Sequence, residues 1–233
     1  MKLPATLGAV VLAAAAALAA PAAAQTVQLD EGTFRILVNG REVGVETFSI
    51  RQNGTGADAV IIAQGRVVLD AAAGGNEVLA NVQLAGAGLR PVAYDVELRG
   101  GDARRINARV TGSRASARTM SSAGETMREY LVSDGAVLLD DGVAHHYYFI
   151  AQRVAAGATR TPIVIPRESR QVQATITAGG QESISAGGQT VSARKIVVTA
   201  DGGERTVWVD AEGRVLRVEI PSKDYVAVRT ELP

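Results

Sequence analysis

The segment Gly32–Ile50, GTFRILVNGREVGVETFSI, carries the clearest structural signal in the chain. Apolar and polar residues alternate on both sides of Asn39-Gly40, as they do in strands that bury one face. The Asn-Gly pair favours a tight hairpin turn because both residues tolerate a positive φ. The segment therefore predicts an antiparallel hairpin with strands at 32–38 and 42–51.

The same period of two continues through most of the remaining sequence, and glycine-rich turns interrupt it. The further strands predicted in this way are 58–70, 76–85, 90–99, 103–111, 114–121, 125–133, 161–166, 170–178, 181–186, 190–200, 204–210, 214–221 and 224–232. One segment departs from this rhythm and predicts a helix at 143–154, with Asp141 as its N-cap, Arg153 near its end and Gly157 after it.

A chain of many strands with one helix must curl its sheet onto itself or pack one sheet on another. We therefore expect an all-β fold, a curved antiparallel meander forming a barrel or half-barrel, with the helix inside it or across its mouth. A β-sandwich is the alternative. The helix would join two β blocks, at about 30–139 and 160–232, within a single β domain at 25–233. The arginine-rich stretch 103–121 has little apolar content and is interpreted as an edge or rim of the sheet.

Residues 1–24 have the pattern of a cleavable signal peptide. A short basic start at Lys2 precedes the apolar run 5–20, and the small residues 22–24 resemble a cleavage site. We therefore expect an exported protein of the bacterial periplasm. A retained N-terminal anchor is the alternative for this segment, whereas the lack of cysteine argues against a lipid-anchored lipoprotein. No apolar run after residue 24 is long enough to span a membrane.

The composition excludes some classes of function. Lys and Arg number 24, as do Asp and Glu, and this balance is unlike the basic excess of nucleic-acid-binding proteins. The chain has no cysteine, so burial of a core must stabilise it without disulfides. We expect no nucleic-acid partner.

Three segments in this order resemble an uncharacterised family of exported bacterial β-proteins, known only as a domain of unknown function. They are the hairpin at 32–50, the loop and aromatic helix LLDDGVAHHYYFI at 138–150, and TVWVDAEGRVLRVEIP at 206–221. The family is distantly similar to the half-barrel lipoprotein carriers of the periplasm. The resemblance implies a curved-sheet fold and offers no catalytic residue. The chain departs from the family at Ala144, because members of the family carry a bulky apolar residue at this position, just before the histidine pair.

No catalytic or metal-binding pattern stands out. His145 and His146 are the only histidines, and adjacent helical positions point about 100° apart, so they can hardly share one ion. Ser192 and Lys195 match a serine acyl-enzyme pattern in spacing, but they lie in a strand pattern that places them on opposite faces. We expect no enzyme activity, no metal and no cofactor.

The expected function is non-enzymatic binding of an apolar or lipid-like ligand in the envelope, with helix 143–154 as a plug or lid. The alternative is an envelope interaction or assembly module without a ligand, which would use an edge strand or the arginine-rich 103–121 face. The candidate ligand-binding residues are Phe34, Tyr94, Tyr130, His145, His146, Tyr147, Tyr148, Phe149 and Trp208.

Overall fold

The computed structural model describes residues 26–233, so the predicted signal peptide lies outside the described residues. The opening hairpin forms as its sequence predicts, with Asn39 and Gly40 at φ of 51° and 72°. The strands of the first half are β1 (Thr26–Val38), β2 (Arg41–Asn53), β3 (Val60–Leu69), β4 (Glu77–Ala85), β5 (Arg90–Arg99), β6 (Arg104–Thr111), β7 (Arg114–Ser121) and β8 (Gly124–Leu131).

The second half begins with a short strand and the helical segment. A 3₁₀ turn at Ala144–His146 runs directly into helix α1 (Tyr147–Ala155), close to the predicted bounds. The strands of this half are β9 (Val137–Leu138), β10 (Arg160–Ile165), β11 (Arg170–Ala186), β12 (Gln189–Ala200), β13 (Gly203–Val209), β14 (Val215–Ile220) and β15 (Tyr225–Arg229). The predicted strands 170–178 and 181–186 are one strand, because β11 continues past Gly179-Gly180 through a register shift.

All the strands belong to one curved sheet of 15 strands, in the order β8 to β1 followed by β15 to β9. Successive strands pair antiparallel from β1 to β8 and from β10 to β15, β9 pairs parallel with β10, and β1 pairs with β15 to join the two halves. The expectation of a curved antiparallel meander with one helix is therefore confirmed, and the alternative sandwich of two sheets is not observed.

The arginine-rich stretch 103–121 is not an edge, which corrects the sequence-based interpretation. Strands β6 and β7 each pair on both sides, and the edge strands of the sheet are β8 and β9. The arginines pair across strands with acids, as Arg105 does with Glu97 at 2.9 Å and Arg114 with Glu129 at 2.7 Å. Such cross-strand ion pairs let charged residues occupy the exposed face of a central strand.

The hydrophobic core lies between the inner face of the curved sheet and helix α1. Tyr147, Phe149 and Ile150 of the helix are almost completely buried, and they pack in one cluster with inward residues of both halves. The β4–β5 turn lies beside the end of α1, and Gly112 of the β6–β7 turn lines a cleft at the same end of the sheet. We call this end of the sheet the mouth.

Candidate functional site

The helical segment is fixed at its start by a carboxylate from the sheet. Glu46 of β2 is fully buried, and its side-chain oxygens accept the backbone N–H groups of Ala144 at 2.7 Å and His145 at 3.0 Å. The same carboxylate contacts His145 Nδ1 at 2.6 Å. Free N–H groups at a helix start need such acceptors, and the charge of a carboxylate suits the helix dipole there.

The predicted N-cap was wrong, since Asp141 does not cap the segment. The residue before the 3₁₀ turn is Val143, which has no capping side chain, and Glu46 takes that role from 98 residues away. Nothing in the local sequence around the helix points to an acceptor so distant. Asp141 instead accepts hydrogen bonds from Arg205 at 2.7 and 2.8 Å and from the Tyr147 hydroxyl at 2.9 Å.

Two adjacent acids anchor the loop before the helix and differ in their ionisation. Burial raises the pKa of the Asp141 carboxyl, but the hydrogen bonds and charges of Arg205 and Lys223 outweigh it and lower the pKa to about 2. Burial also raises the pKa of the Asp140 carboxyl, and here the ion pair with Arg167 at 2.6 Å offsets it only in part. The pKa values of the two adjacent carboxyls are therefore shifted in opposite directions.

The two histidines are fully buried beside this loop. His146 Nδ1 accepts the backbone N–H of Asp140 at 3.1 Å, and the two imidazole rings meet edge to face with centroids 4.6 Å apart. Burial and the neighbouring His145 and Arg167 hold the pKa of His146 well below its ordinary value, so His146 is neutral. Across residues 26–233, no three His, Cys, Asp or Glu side chains group closely enough to hold a metal ion.

The nine candidate ligand-binding residues do not line one open pocket. Phe34, Tyr94, Tyr147, Phe149 and the two histidines are at most 1% exposed and belong to the packed interior. Phe34 stacks on Phe48 with ring centroids 5.2 Å apart, and Phe48 stacks on His145 at 5.5 Å. These side chains pack against one another and against the sheet in the interior.

The remaining three candidates lie at different places. Tyr130 is a buried residue of edge strand β8, and Tyr148 reaches the mouth. Trp208 packs in a separate cluster with Leu216 and Val228, and its indole N–H donates to Glu182 at 2.9 Å. Its neighbours Val207 and Val209 face the helix, so Trp208 points to the opposite face of the sheet.

Two neighbouring clefts open at the mouth. The first, which we call the helix cleft, has a volume of about 450 Å³ and lies between α1 and the β4–β5 turn. Its apolar lining is Leu29, Ile61, Ala87, Leu89, Tyr148, Ala155 and Ala156. The second, the loop cleft, has a volume of about 460 Å³, and its lining includes Pro91 and Val132. Gly88 and Arg153 line both clefts.

Arg153 forms the partition between the two clefts. Its guanidinium donates to the backbone carbonyls of Gly88 at 2.7 Å, Leu89 at 2.9 Å and Ala136 at 3.4 Å. Burial lowers the pKa of Arg153, and no carboxylate among its hydrogen-bond partners offsets this effect. Leu89 holds a left-handed φ of 50°, a backbone conformation that costs energy for a residue with a side chain.

Sequence reasoning treated the parts of the mouth separately. The sequence predicts a turn between the strands at 76–85 and 90–99 and places Arg153 near the end of the helix, without relating the two. One sequence signal could have linked the turn to the helix. An arginine in the last turn of an otherwise apolar helix has five donors that need acceptors, and a neighbouring turn can supply them. Within the described part of the chain, no helix is long and apolar enough to cross a membrane.

Comparison with known proteins supports the fold and gives no activity. No family model matches the chain, and no curated protein sequence matches it significantly. A crystal structure described as a beta-barrel-like protein of domain of unknown function DUF1849 from Brucella abortus is similar, with a TM-score of 0.58 and 11% sequence identity. The match covers 87% of this chain and 96% of that chain. The chain is therefore an all-β, barrel-like protein similar in fold to an uncharacterised bacterial domain.

Proposed function

We propose that the chain is a non-enzymatic binding protein of the bacterial periplasm that holds an apolar, lipid-like ligand at the mouth beside helix α1. The observation that carries this proposal is the pair of clefts that meet at Arg153. Barrel mouths are common positions for ligand sites, and each cleft lies within the usual volume range for small molecules. Periplasmic location is proposed from the signal-peptide pattern of residues 1–24 alone.

The helix cleft has the lining that an acyl chain requires. Leu29, Ile61 and Leu89 contribute aliphatic surface, and Tyr148 contributes an aromatic ring. Burial of apolar ligand surface stabilises a complex by about 25 cal/mol per Å² before the costs of association. Arg153 stands beside this surface as a cation without a carboxylate partner among its hydrogen bonds, and it suits an anionic or carbonyl-bearing head group.

Arg153 also determines how large a ligand the mouth can take. It separates two clefts that share its side chain, so movement of the guanidinium away from Gly88 and Leu89 would join them. Its three acceptors are backbone carbonyls at the solvent-accessible end of the barrel, where water can replace the guanidinium. The proposal therefore includes a ligand-dependent opening at this point.

The test is uptake of a defined lipid by the purified protein. We would measure, by native mass spectrometry and fluorescence titration, the binding of oleic acid and of a short-chain phosphatidylglycerol. Ala155→Trp places an indole in the helix cleft from an exposed position and should reduce the affinity by about tenfold or more. Ala123→Trp, at the exposed β7–β8 turn far from the clefts in sequence and fold, is the matched control.

The outcomes separate the proposal from its failure. Saturable uptake that Ala155→Trp reduces and Ala123→Trp leaves unchanged would support the mouth as the binding site. Absence of uptake, or equal uptake by all three proteins, would overturn it. A solvent extract of protein isolated from its own cell envelope identifies the natural ligand where one copurifies.

A second candidate function, a protein-interaction module, is favoured by strand β8. The backbone N–H of Leu131 donates to the side-chain oxygen of Gln171, and the Gln171 amide nitrogen donates to the Leu131 carbonyl. The backbone groups of Leu131 therefore point away from β7. In an antiparallel ladder this direction alternates, and Glu125, Met127 and Glu129 therefore also present their backbone groups outward. Met127 and Leu131 are 66% and 61% exposed.

These features suit an extended segment of a partner protein that adds to the sheet at β8. Apolar side chains of that segment would meet Met127 on the outer face. Met127→Pro removes one outward N–H without removing a ladder bond to β7, because proline is tolerated at such edge positions. Loss of a partner crosslinked in cells, with an unchanged thermal unfolding midpoint, would support this function, and retained crosslinking would exclude β8 as the surface.

A further inference from the structure

A third cleft, of about 530 Å³, crosses the outer face of the sheet over strands β2 to β6. Two rows of outward side chains line it, and each row consists of residues that stand directly opposite one another on neighbouring strands. The first row, which we call the polar row, is Ser49, Gln64, Asn81, Asp95 and Asn107. The second, the mixed row, is Thr47, Arg66, Leu79, Glu97 and Arg105.

The composition of the polar row is unusual for a sheet. Asn and Asp are depleted in strands, because their side chains compete for local backbone groups and pack poorly on a pleated surface. Here Asn81, Asp95 and Asn107 occupy the middle of three consecutive strands in exact register with one another. Their only mutual hydrogen bond runs from Asn107 Nδ2 to Asp95 at 2.6 Å. The fold gains little from this row, which points to a ligand.

The polar row retains hydrogen-bonding capacity that the protein does not use. The Asn81 side-chain oxygen is buried without a partner anywhere in residues 26–233. The Gln64 oxygen accepts from Arg51 at 2.9 Å, and its amide nitrogen makes no hydrogen bond within the same residues. Asp95 uses one carboxylate oxygen, Oδ1, for Asn107 and Arg109. A donor on Gln64 and an acceptor on Asp95 thus remain free on either side of Asn81.

The charges along the cleft cancel. Arg66 and Arg105 face it together with Asp95 and Glu97. Arg105 pairs with Glu97 at 2.9 Å, Asp95 pairs with Arg109 at 2.7 Å, and Arg66 pairs with Glu77. No side chain of the two rows offers an uncompensated charge to a phosphate or an ammonium group. The cleft therefore suits a neutral, strongly hydrogen-bonding ligand.

We propose that this outer-face cleft binds a neutral saccharide. Each sugar hydroxyl both donates and accepts, which matches the adjacent amide, hydroxyl and carboxylate groups of the polar row. Leu79 in the mixed row provides apolar contact for the C–H face of a sugar ring. The volume lies within the range of small-molecule sites. The cleft is on the opposite face of the sheet from α1, so this inference does not depend on a ligand at the mouth.

The test is a calorimetric titration of the protein with two neutral probes, chitotriose and maltotriose, and with trigalacturonic acid as an acidic probe. We expect saturable binding of at least one neutral probe and weaker binding of the acidic one. Asn81→Leu should weaken that binding by about tenfold, the effect of losing one hydrogen bond in a buried site. Gln83→Leu is the matched control, since Gln83 lies two residues further along β4 on the same face and outside the cleft.

Three outcomes would overturn the proposal: no saturation by either neutral probe at millimolar concentration, preferential binding of the acidic probe, or equal affinity of Asn81→Leu and the unchanged protein. Thermal unfolding of both variants provides the readout of folding. Both substitutions replace an outward polar side chain, so a midpoint close to that of the unchanged protein is expected for each.

Discussion

The two ends of the helical segment are held in different ways. At its start, Glu46, Asp141 and Arg205 make charge-assisted hydrogen bonds in the interior, at 2% exposure or less. At its end, Arg153 reaches backbone carbonyls of a turn beside two open clefts. Buried ionised partners are costly to separate, whereas groups near water can exchange partners. One end therefore anchors the helix, and the other can exchange its hydrogen-bond partners.

The largest loss of stability is expected when one member of the buried ion pair at the anchored end is removed. Asp141→Ala leaves Arg205 without its carboxylate at 2% exposure, and we expect a loss of about 3–5 kcal/mol in the free energy of unfolding. Urea denaturation followed by tryptophan fluorescence measures it. Asp141→Leu combined with Arg205→Met should recover part of the loss, because no uncompensated charge remains.

The exposed pair of Arg118 and Glu125 provides the contrast for this prediction. Glu125→Ala should change the stability little, since both partners are accessible to water and ions screen their attraction. Equal losses for Asp141→Ala and Glu125→Ala would mean that the buried network does not anchor the helix.

A smaller loss is expected where the sheet makes room for His145. A Cβ atom added at Gly65 would lie 2.4 Å from His145 Cε1, and the ring is held by Glu46. Gly65→Ala should therefore cost about 1–3 kcal/mol through overpacking. Gly180→Ala is the matched control in a strand, because a Cβ there meets nothing within 4 Å. If Gly65→Ala were as stable as Gly180→Ala, the histidine would not be fixed against β3.

These residues also indicate what the sequence could and could not predict. The strands follow from alternation and glycine turns, which act over a few residues, and the segment around Asn39-Gly40 illustrates this. The cap from Glu46 and the cross-strand rows over β2 to β6 depend on register between distant segments. Local patterns carry no information on such partners, so the sequence alone does not show that most of the candidate aromatic residues lie in the packed interior.

The anchored end should also respond to acid. The folded pKa of His146 lies below its ordinary value of 6.5, so the unfolded chain binds the proton more tightly than the folded protein. Stability from this residue is full above pH 6.5 and falls as the pH drops below it, by at most about 1.4 kcal/mol per pH unit. Unfolding free energies at several pH values between about 7 and 5 measure the slope.

The acids near His146 differ from it in the range or in the sign of their effect. The pKa of Asp141 is lowered to about 2, so Asp141 affects stability below pH 4, whereas the raised pKa of Asp140 gives an effect above pH 3.8 that is opposite in sign to that of His146. His146→Asn should remove most of the slope above pH 5 while lowering the stability at every pH. An unchanged slope in this variant would assign the acid response to another group.

Among the changes to the helical segment, the smallest loss of global stability is expected at its open end. Arg153→Ala removes the hydrogen bonds to Gly88 and Leu89, but water can reach these carbonyls, so we expect a loss of about 1 kcal/mol or less. The left-handed Leu89 then lacks a partner that holds the turn. Amide hydrogen exchange should become faster in residues 86–89 and in the last turn of α1, and stay unchanged around Ala144 and His145. Faster exchange at both ends would mean that the helix moves as one unit, and the distinction between an anchored end and a responsive end would not hold.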